Sequence, residues 1–394
     1  MRREEKMKNV KSFAILISSI ILLSISMLSF YTYADFDENM KIFNELKPSE
    51  FINGNKNKNL DKKSIRYDEI ETYIHTFNPE ILNNWNIWEN NKSANDVYSD
   101  YMDAYDKLYD SASSQDSDLQ AGMAYAQADA MLIQADKSVN DSYIDFLTYY
   151  LREKQLVLTT KILDINYHKS QYEIQNANEA LHEANRKEES ATNALKYGSG
   201  TELDLLTAKK AVVDANTNIL TTISSQNTYK RNLAANCGLM SLNDINILPI
   251  DLDDTFDISS IDFESDYENA LNHNIQYEIY KRKRENARTD EVKNEYDIAI
   301  EAAPNNIYND LQTNFMNILD LLNTKANREV AYSLASSNYT KANNEYKSGK
   351  ISLKEFKTTE YNLLVAKNNI ELVKYDLKIA IENYNASKLG FGSC

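Results

Sequence analysis

The chain has 394 residues, with 59 acidic against 43 basic side chains and a formal net charge of −16. Nucleic acid is thereby disfavoured as a partner, because phosphate backbones are held by clustered Lys and Arg and no basic patch large enough to reverse this balance is evident in the sequence. Two cysteines, Cys237 and Cys394, are too few for a disulfide framework, and His75, His168, His182 and His273 stand singly, with no pair at zinc-ligand spacing.

In chain order, residues 1–34 come first. Arg2, Arg3, Lys6, Lys8 and Lys11 precede an apolar run from Phe13 to Phe30, and Thr32, Tyr33 and Ala34 form a small-x-small cleavage signal. This reads as a secretory signal peptide or, since the run is close to spanning length, as an N-terminal anchor. Either places the remainder outside the cytoplasmic membrane. A polar, Asn- and Lys-rich linker follows over 35–65.

The whole chain has only eight glycines and four prolines, far below ordinary usage of roughly 7% and 5%, and no alternating strand pattern is evident. A short helix is expected near 67–92, interrupted at Asn78 and Pro79, and a second near 94–112. Long helices are expected over 117–196, 203–237, 264–302, 305–346 and 352–388, with the acidic stretch 241–262 around Pro249 as a linker between halves. At about 1.5 Å per residue the last four reach ~50–65 Å and the first about twice that. The expected fold is all-α: long antiparallel helical hairpins with coiled-coil heptads, internally duplicated, with a first helical repeat over 66–240 and a second over 263–394.

Heptad spacing carries the packing. Phe356, Leu363, Ile370, Leu377 and Tyr384 recur every seven residues, with Thr359, Ala366, Val373 and Ala380 three places later, so large residues face small ones along one seam. Val365, Leu372 and Ile379 make a second seam on another side. Ile144, Leu151, Leu158, Ile165 and Tyr172 repeat likewise in the long helix. Tyr332, Tyr339 and Tyr346 share the interval, which favours packing at helix seams over carbohydrate stacking for the 27 tyrosines.

The duplication shows in two turns. Tyr197, Gly198, Ser199 and Gly200 lead into one helix, and Tyr346, Lys347, Ser348 and Gly349 into another. Aligning Gly200 with Gly349 requires a two-residue shift past the turn, after which Asp204 matches Glu355, Leu205 matches Phe356, Val212 matches Leu363 and Ile219 matches Ile370. Thr201 and Ser352 are the N-cap candidates, and Gly238 and Gly390 close the two helices.

Two copies of Tyr-x-x-Gly, each followed by an acidic residue and an apolar heptad ending in Gly, resemble the TolC-like outer membrane efflux protein family, over roughly residues 66–390. Asn78, Pro79 and Glu80, and Ala270, Leu271 and Asn274, resemble the element opening each family repeat. The family's membrane strands would fall near 96–120 and 290–310, where this chain is acidic and shows no strand pattern. The resemblance implies an extracytoplasmic component of an efflux or export system in the cell envelope, a helical conduit or scaffold working with an adaptor and a membrane pump. The alternative is a structural coiled-coil spacer of the cell envelope without a transport role.

The resemblance further implies that Tyr197, Gly198, Gly200, Tyr346, Gly349 and Lys350 form hairpin tips that dock a membrane-fusion adaptor or transporter subunit, that Asp204 and Glu355 are tunnel-entrance carboxylates, and that the chain forms a homotrimer. The plainer alternative for Asp204 and Glu355 is helix-start carboxylates favoured by the helix dipole. Lys281, Arg282, Lys283 and Arg284 form the one basic run, read as an exposed face balanced by nearby acids. No Ser-His-Asp set, phosphate loop or metal cluster is present, so no catalytic site and no cofactor are expected.

Overall fold

The computed structural model describes residues 60–91, 98–115, 117–138, 141–239, 245–252 and 256–392. The signal or anchor segment at 1–34 and Cys394 lie outside them. Among the described residues no helix is long and apolar enough to cross a membrane.

Helix α1 (Ile70–Phe77) and α2 (Pro79–Asn91) are parted at Asn78, whose Oδ1 accepts the Ile81 N–H at 3.1 Å. Pro79 takes the first helical position, where no N–H is needed. Next, α3 (Tyr98–Ser113) and α4 (Asp118–Lys137) pack against each other as a hairpin of their own. The single helix expected over 117–196 is therefore two. A new helix, α5 (Ser142–Lys196), starts where the Asp141 carboxylate accepts the N–H groups of Tyr143 at 2.9 Å and Ile144 at 3.4 Å. Its antiparallel partner is α6 (Glu202–Asn236).

In the second half α7 (Phe263–His273), α8 (Ile275–Asn286), α9 (Asp290–Lys347) and α10 (Leu353–Lys388) follow. The helix expected over 264–302 is broken twice. Asn274 caps α8 by accepting the Tyr277 N–H at 2.9 Å, and Thr289 caps α9 while the Asp136 carboxylate of α4 accepts the N–H groups of both Arg288 and Thr289. Conversely, Pro304 does not start a helix but lies inside α9. It removes one i→i−4 hydrogen bond, which the 58-residue helix tolerates because continuous packing on its neighbours holds it.

Two short strands were not foreseen. β1 (Ser64–Ile65) pairs in parallel with β2 (Asn246–Ile247), and the Leu248 N–H donates to the Ile65 carbonyl at 3.0 Å. Ile65 is fully buried, so the last residues of the stretch expected as polar linker belong to the folded body. Such two-residue strands carry no alternation that a sequence pattern could reveal.

The four long helices pack in the order α6, α5, α10, α9, with α6 and α9 outermost. Where α9 meets α10, Leu311, Ile318, Leu377, Ala380 and Tyr384 form a core roofed by Phe256, Ile258 and Ile261 of the acidic linker. At the base of α5, Phe146 packs between Trp85 and Trp88 of α2, with ring centroids at 5.7 and 5.9 Å. Each such fully buried large side chain is worth about 1.5–3 kcal/mol.

The duplication is visible in atomic detail. α6 ends at Gly238 and α10 at Gly390, with φ of 71° and 81°. In each turn the glycine N–H and the next N–H bond back to carbonyls of the last helical turn: Gly238 and Leu239 to Ala235 and Ala234, Gly390 and Phe391 to Ser387 and Ala386. Each glycine also lies against the end of the repeat's first helix, Gly238 on the Phe77 carbonyl and Gly390 on the His273 carbonyl, with no room for a Cβ. Thus Asn274 matches Asn78 without a following proline. The Ile275 N–H, where the first repeat has Pro79, donates to the Gly390 carbonyl at 3.2 Å.

Candidate functional site: hairpin tips and open flanks

Each long hairpin turns through five residues, 197–201 between α5 and α6 and 348–352 between α9 and α10. Equal lengths correct the alignment read from the sequence, because Gly198, not Gly200, is the counterpart of Gly349. Both have φ of 70°, and the hydrogen bonds correspond: Gly198 N–H to Leu195 and Ser199 N–H to Ala194, Gly349 N–H to Tyr346 and Lys350 N–H to Glu345. Tyr197 therefore matches Ser348, Lys350 matches Ser199, and Tyr346 matches Leu195. No two-residue shift is needed at Asp204 and Glu355. The misalignment arose because chance put a tyrosine three residues before two different glycines.

Helix starts close both turns in the same way. Thr201 Oγ1 accepts the Asp204 N–H at 3.1 Å, while Asp204 Oδ2 accepts from the Thr201 hydroxyl at 2.7 Å and its N–H at 3.0 Å. Ser352 and Glu355 repeat the arrangement, at 3.2, 2.9 and 2.8 Å. The Thr201 hydroxyl, then its N–H, hold the Asp204 carboxyl below its ordinary pKa, and the Ser352 N–H, then its hydroxyl, do the same for Glu355. These carboxylates are thus caps, each with its second oxygen left to solvent.

The two tips lie at one end of the body, since Lys354 Nζ at the start of α10 reaches Ser190 Oγ near the end of α5 at 2.9 Å. Tyr197 projects, 77% exposed, whereas Tyr346 stacks on Phe356 with centroids 5.0 Å apart. Gly200 approaches the Ala194 side chain too closely for a Cβ of its own, while Gly198 and Gly349 face open space.

Unpartnered apolar side chains run along both outer helices, Leu206, Val213 and Leu220 at heptad intervals on α6 and Val330 and Leu334 on α9, each more than 60% exposed. On the interior seam of α10 the opposite holds. Val373, Leu377, Ala380 and Tyr384 are buried and Phe356, Leu363 and Ile370 half-buried, as their spacing predicts.

The basic run on α8 is largely matched by carboxylates. Lys281 pairs with Glu278, Arg282 with Asp141 at 2.5 Å, and Arg284 with Asp297. His75 and Trp85 both bond the buried Glu153 carboxylate, at 2.8 Å each. Asp164 is fully buried, with His168 Nε2 3.3 Å from Oδ1, and burial pushes its carboxyl up. Beside it the buried Cys237 thiol is free, and burial pushes its pKa up to about 12. Among the described residues no three His, Cys, Asp or Glu side chains are placed to hold a metal ion. A cavity of about 100 Å³ beside Leu252, Phe256 and Leu377 is well below the roughly 300–1,000 Å³ of small-molecule sites.

Sequence reasoning missed the break between α4 and α5, although Asn140, Asp141 and Ser142 are capping residues in a row. Both intervals where family strands would fall are helical in the described residues, as α3, α4 and the start of α9.

No protein-family model matches the chain, and no curated protein matches it. Solved structures similar to it include the CmeC outer membrane channel of Campylobacter jejuni (13% identity, TM-score 0.44), which covers 64% of this chain and 66% of its own. A membrane protein from Pseudomonas aeruginosa (10% identity, TM-score 0.46) covers 84% of this chain and 96% of its own. The outer membrane protein VceC of Vibrio cholerae (13% identity, TM-score 0.42) covers 63% and 74%.

Proposed function

We propose that this chain is a TolC-like extracytoplasmic component of an efflux or export system, a helical conduit or scaffold of the cell envelope that carries out no chemistry. The observation that carries the reading is the pair of matched hairpins: two identically built turns at one end of a row of four helices whose outer members, α6 and α9, keep apolar flanks open. A row with two open edges closes on itself when α6 of one copy meets α9 of the next. In a homotrimer twelve helices then enclose a passage, and heptad-spaced Leu206, Val213 and Leu220 gain the partners they lack in one copy.

At the tips, exposed Tyr197, the Gly198, Gly200 and Gly349 backbones and Lys350 form the surface for a membrane-fusion adaptor or transporter subunit. Asp204 and Glu355, one turn higher, place an acid on every hairpin near the entrance, disfavouring anionic cargo. The test is site-directed photo-crosslinking in the native cell from the equivalent positions Ser199 and Lys350, with mass spectrometry of what is captured. Capture of an adaptor or transporter subunit at both supports the conduit; capture only of wall or surface components replaces it with a structural spacer.

A further inference from the structure

Helix α4 carries two heptad seams on opposite sides. Ala121, Tyr125, Ala128, Leu132 and Ala135, spaced four and three apart, face α3: Ala128 and Ala135 are fully buried, and the Tyr125 ring meets Tyr109 edge-on at 5.1 Å. Leu119, Met123, Ala126, Ala130 and Ile133 follow the same four-three spacing half a turn away. There Leu119 is 74% and Met123 60% exposed, Ala126 and Ala130 are exposed, and Ile133 is half-buried. A helix held by one neighbour along its length needs one seam. Only the end of the second seam meets another element: Lys137, four residues past Ile133, pairs with Glu295 of α9 at 2.8 Å, while Leu119, Met123, Ala126 and Ala130 stay open.

Columns flanking this outer seam say what covers it. With Met123 and Ala130 at position a and Leu119, Ala126 and Ile133 at position d, Gln120, Gln127 and Gln134 occupy every e position, and Gly122 and Asp129 the g positions; the three glutamines and Asp129 are exposed. In a parallel coil each g residue meets the e residue of the next heptad on its neighbour. Asp129 then meets Gln134 of a second copy, an acceptor against an amide donor. An antiparallel partner copy would instead set Asp129 against Asp129.

We infer that α4 is a parallel homotypic seam, through which copies of this chain join at the α3/α4 hairpin. The seam spans roughly 21 Å, too short to hold copies together unaided, so this inference rests on the association of copies proposed above and adds where and in which direction they meet.

The test uses the full chain with Cys394→Ser, so that buried Cys237 is the one remaining native thiol, and single Ala126→Cys, Ala130→Cys and Asp103→Cys variants, the last exposed on α3. Under mild oxidation the two α4 cysteines are expected to give disulfide-linked dimers and Asp103→Cys little. In mixtures, Leu119→Cys is expected to link to itself and not to Ile133→Cys. In parallel, Gln134→Lys is expected to tighten association and Gln134→Glu to weaken it, each by roughly two- to fivefold per contact in Kd. Linkage no better than at Asp103, preferred 119-to-133 linkage, or Gln134 variants shifting the same way would each overturn the seam. Loss of association on changing the α6 flank, with α4 unlinked throughout, would remove α4 and leave the closed row standing.

Discussion

Gly390 lies directly against the carbonyl of His273, at a φ of 81° and with no room for a side-chain carbon, and Gly238 meets Phe77 in the same way. Each contact ties the last helix of a repeat to its first. Alanine at either position forces both left-handed backbone strain and a clash with backbone, so Gly238→Ala and Gly390→Ala should each cost about 2–4 kcal/mol in urea unfolding. Gly198→Ala and Gly349→Ala share the strain but face open space, and should cost only about 1–2 kcal/mol. Equal losses at all four positions would show that the close approach contributes nothing.

At the tips the caps account for the low carboxyl pKa values. A depressed carboxyl stabilises the fold fully above its unfolded pKa of roughly 4, and that contribution disappears as pH falls through the lower folded value. Thr201→Ala and Ser352→Ala should each cost about 0.5–2 kcal/mol of local stability. In an NMR titration Thr201→Ala should let the Asp204 carboxyl return upward, because the hydroxyl is its larger cause, and Ser352→Ala should raise Glu355 less, because the Ser352 N–H stays in place. An Asp204 carboxyl that stays low in Thr201→Ala would point to a different source of the shift.

Asp164 has the opposite sign. Its carboxyl is raised by burial, so the fold is relieved of its charge at low pH and loses stability as pH rises from the unfolded carboxylate value through the folded one. Asp164→Asn should therefore be neutral near pH 3 and stabilising by about 1 kcal/mol at pH 8, read from denaturation midpoints at both. A variant destabilised at pH 8 would mean that the contact with His168 outweighs burial.

Association of copies is read from the open flanks. Leu206→Glu with Leu220→Glu should leave the helical circular dichroism and unfolding midpoint of one copy within about 0.5 kcal/mol of the parent, because neither side chain is buried. In sedimentation the same variant should run as a monomer where the parent associates. Unchanged sedimentation would remove the α6 flank from the interface.

Local chemistry determined most of the fold class. Seven-residue spacing on α5 and α10 announced long packed helices, scarce glycine and proline permitted them, and Thr201, Ser352, Gly238 and Gly390 marked their ends, because capping and turn geometry depend on a few adjacent residues. What escaped the sequence depends on distant partners. Asp136 ends the break before α9 by accepting the Arg288 and Thr289 N–H groups from another helix, Ile65 finds its strand partner across the whole first repeat, and Pro304 stays helical because neighbouring helices hold α9 around it. The true match of Gly198 with Gly349 likewise needed backbone angles, since spacing to a nearby tyrosine says nothing of which glycine turns left-handed. Which seams are covered and which stay open was also a tertiary decision: the heptad pattern is alike on both sides of α4, and the position of α3, with the start of α9 at one end, separates the buried side from the open one.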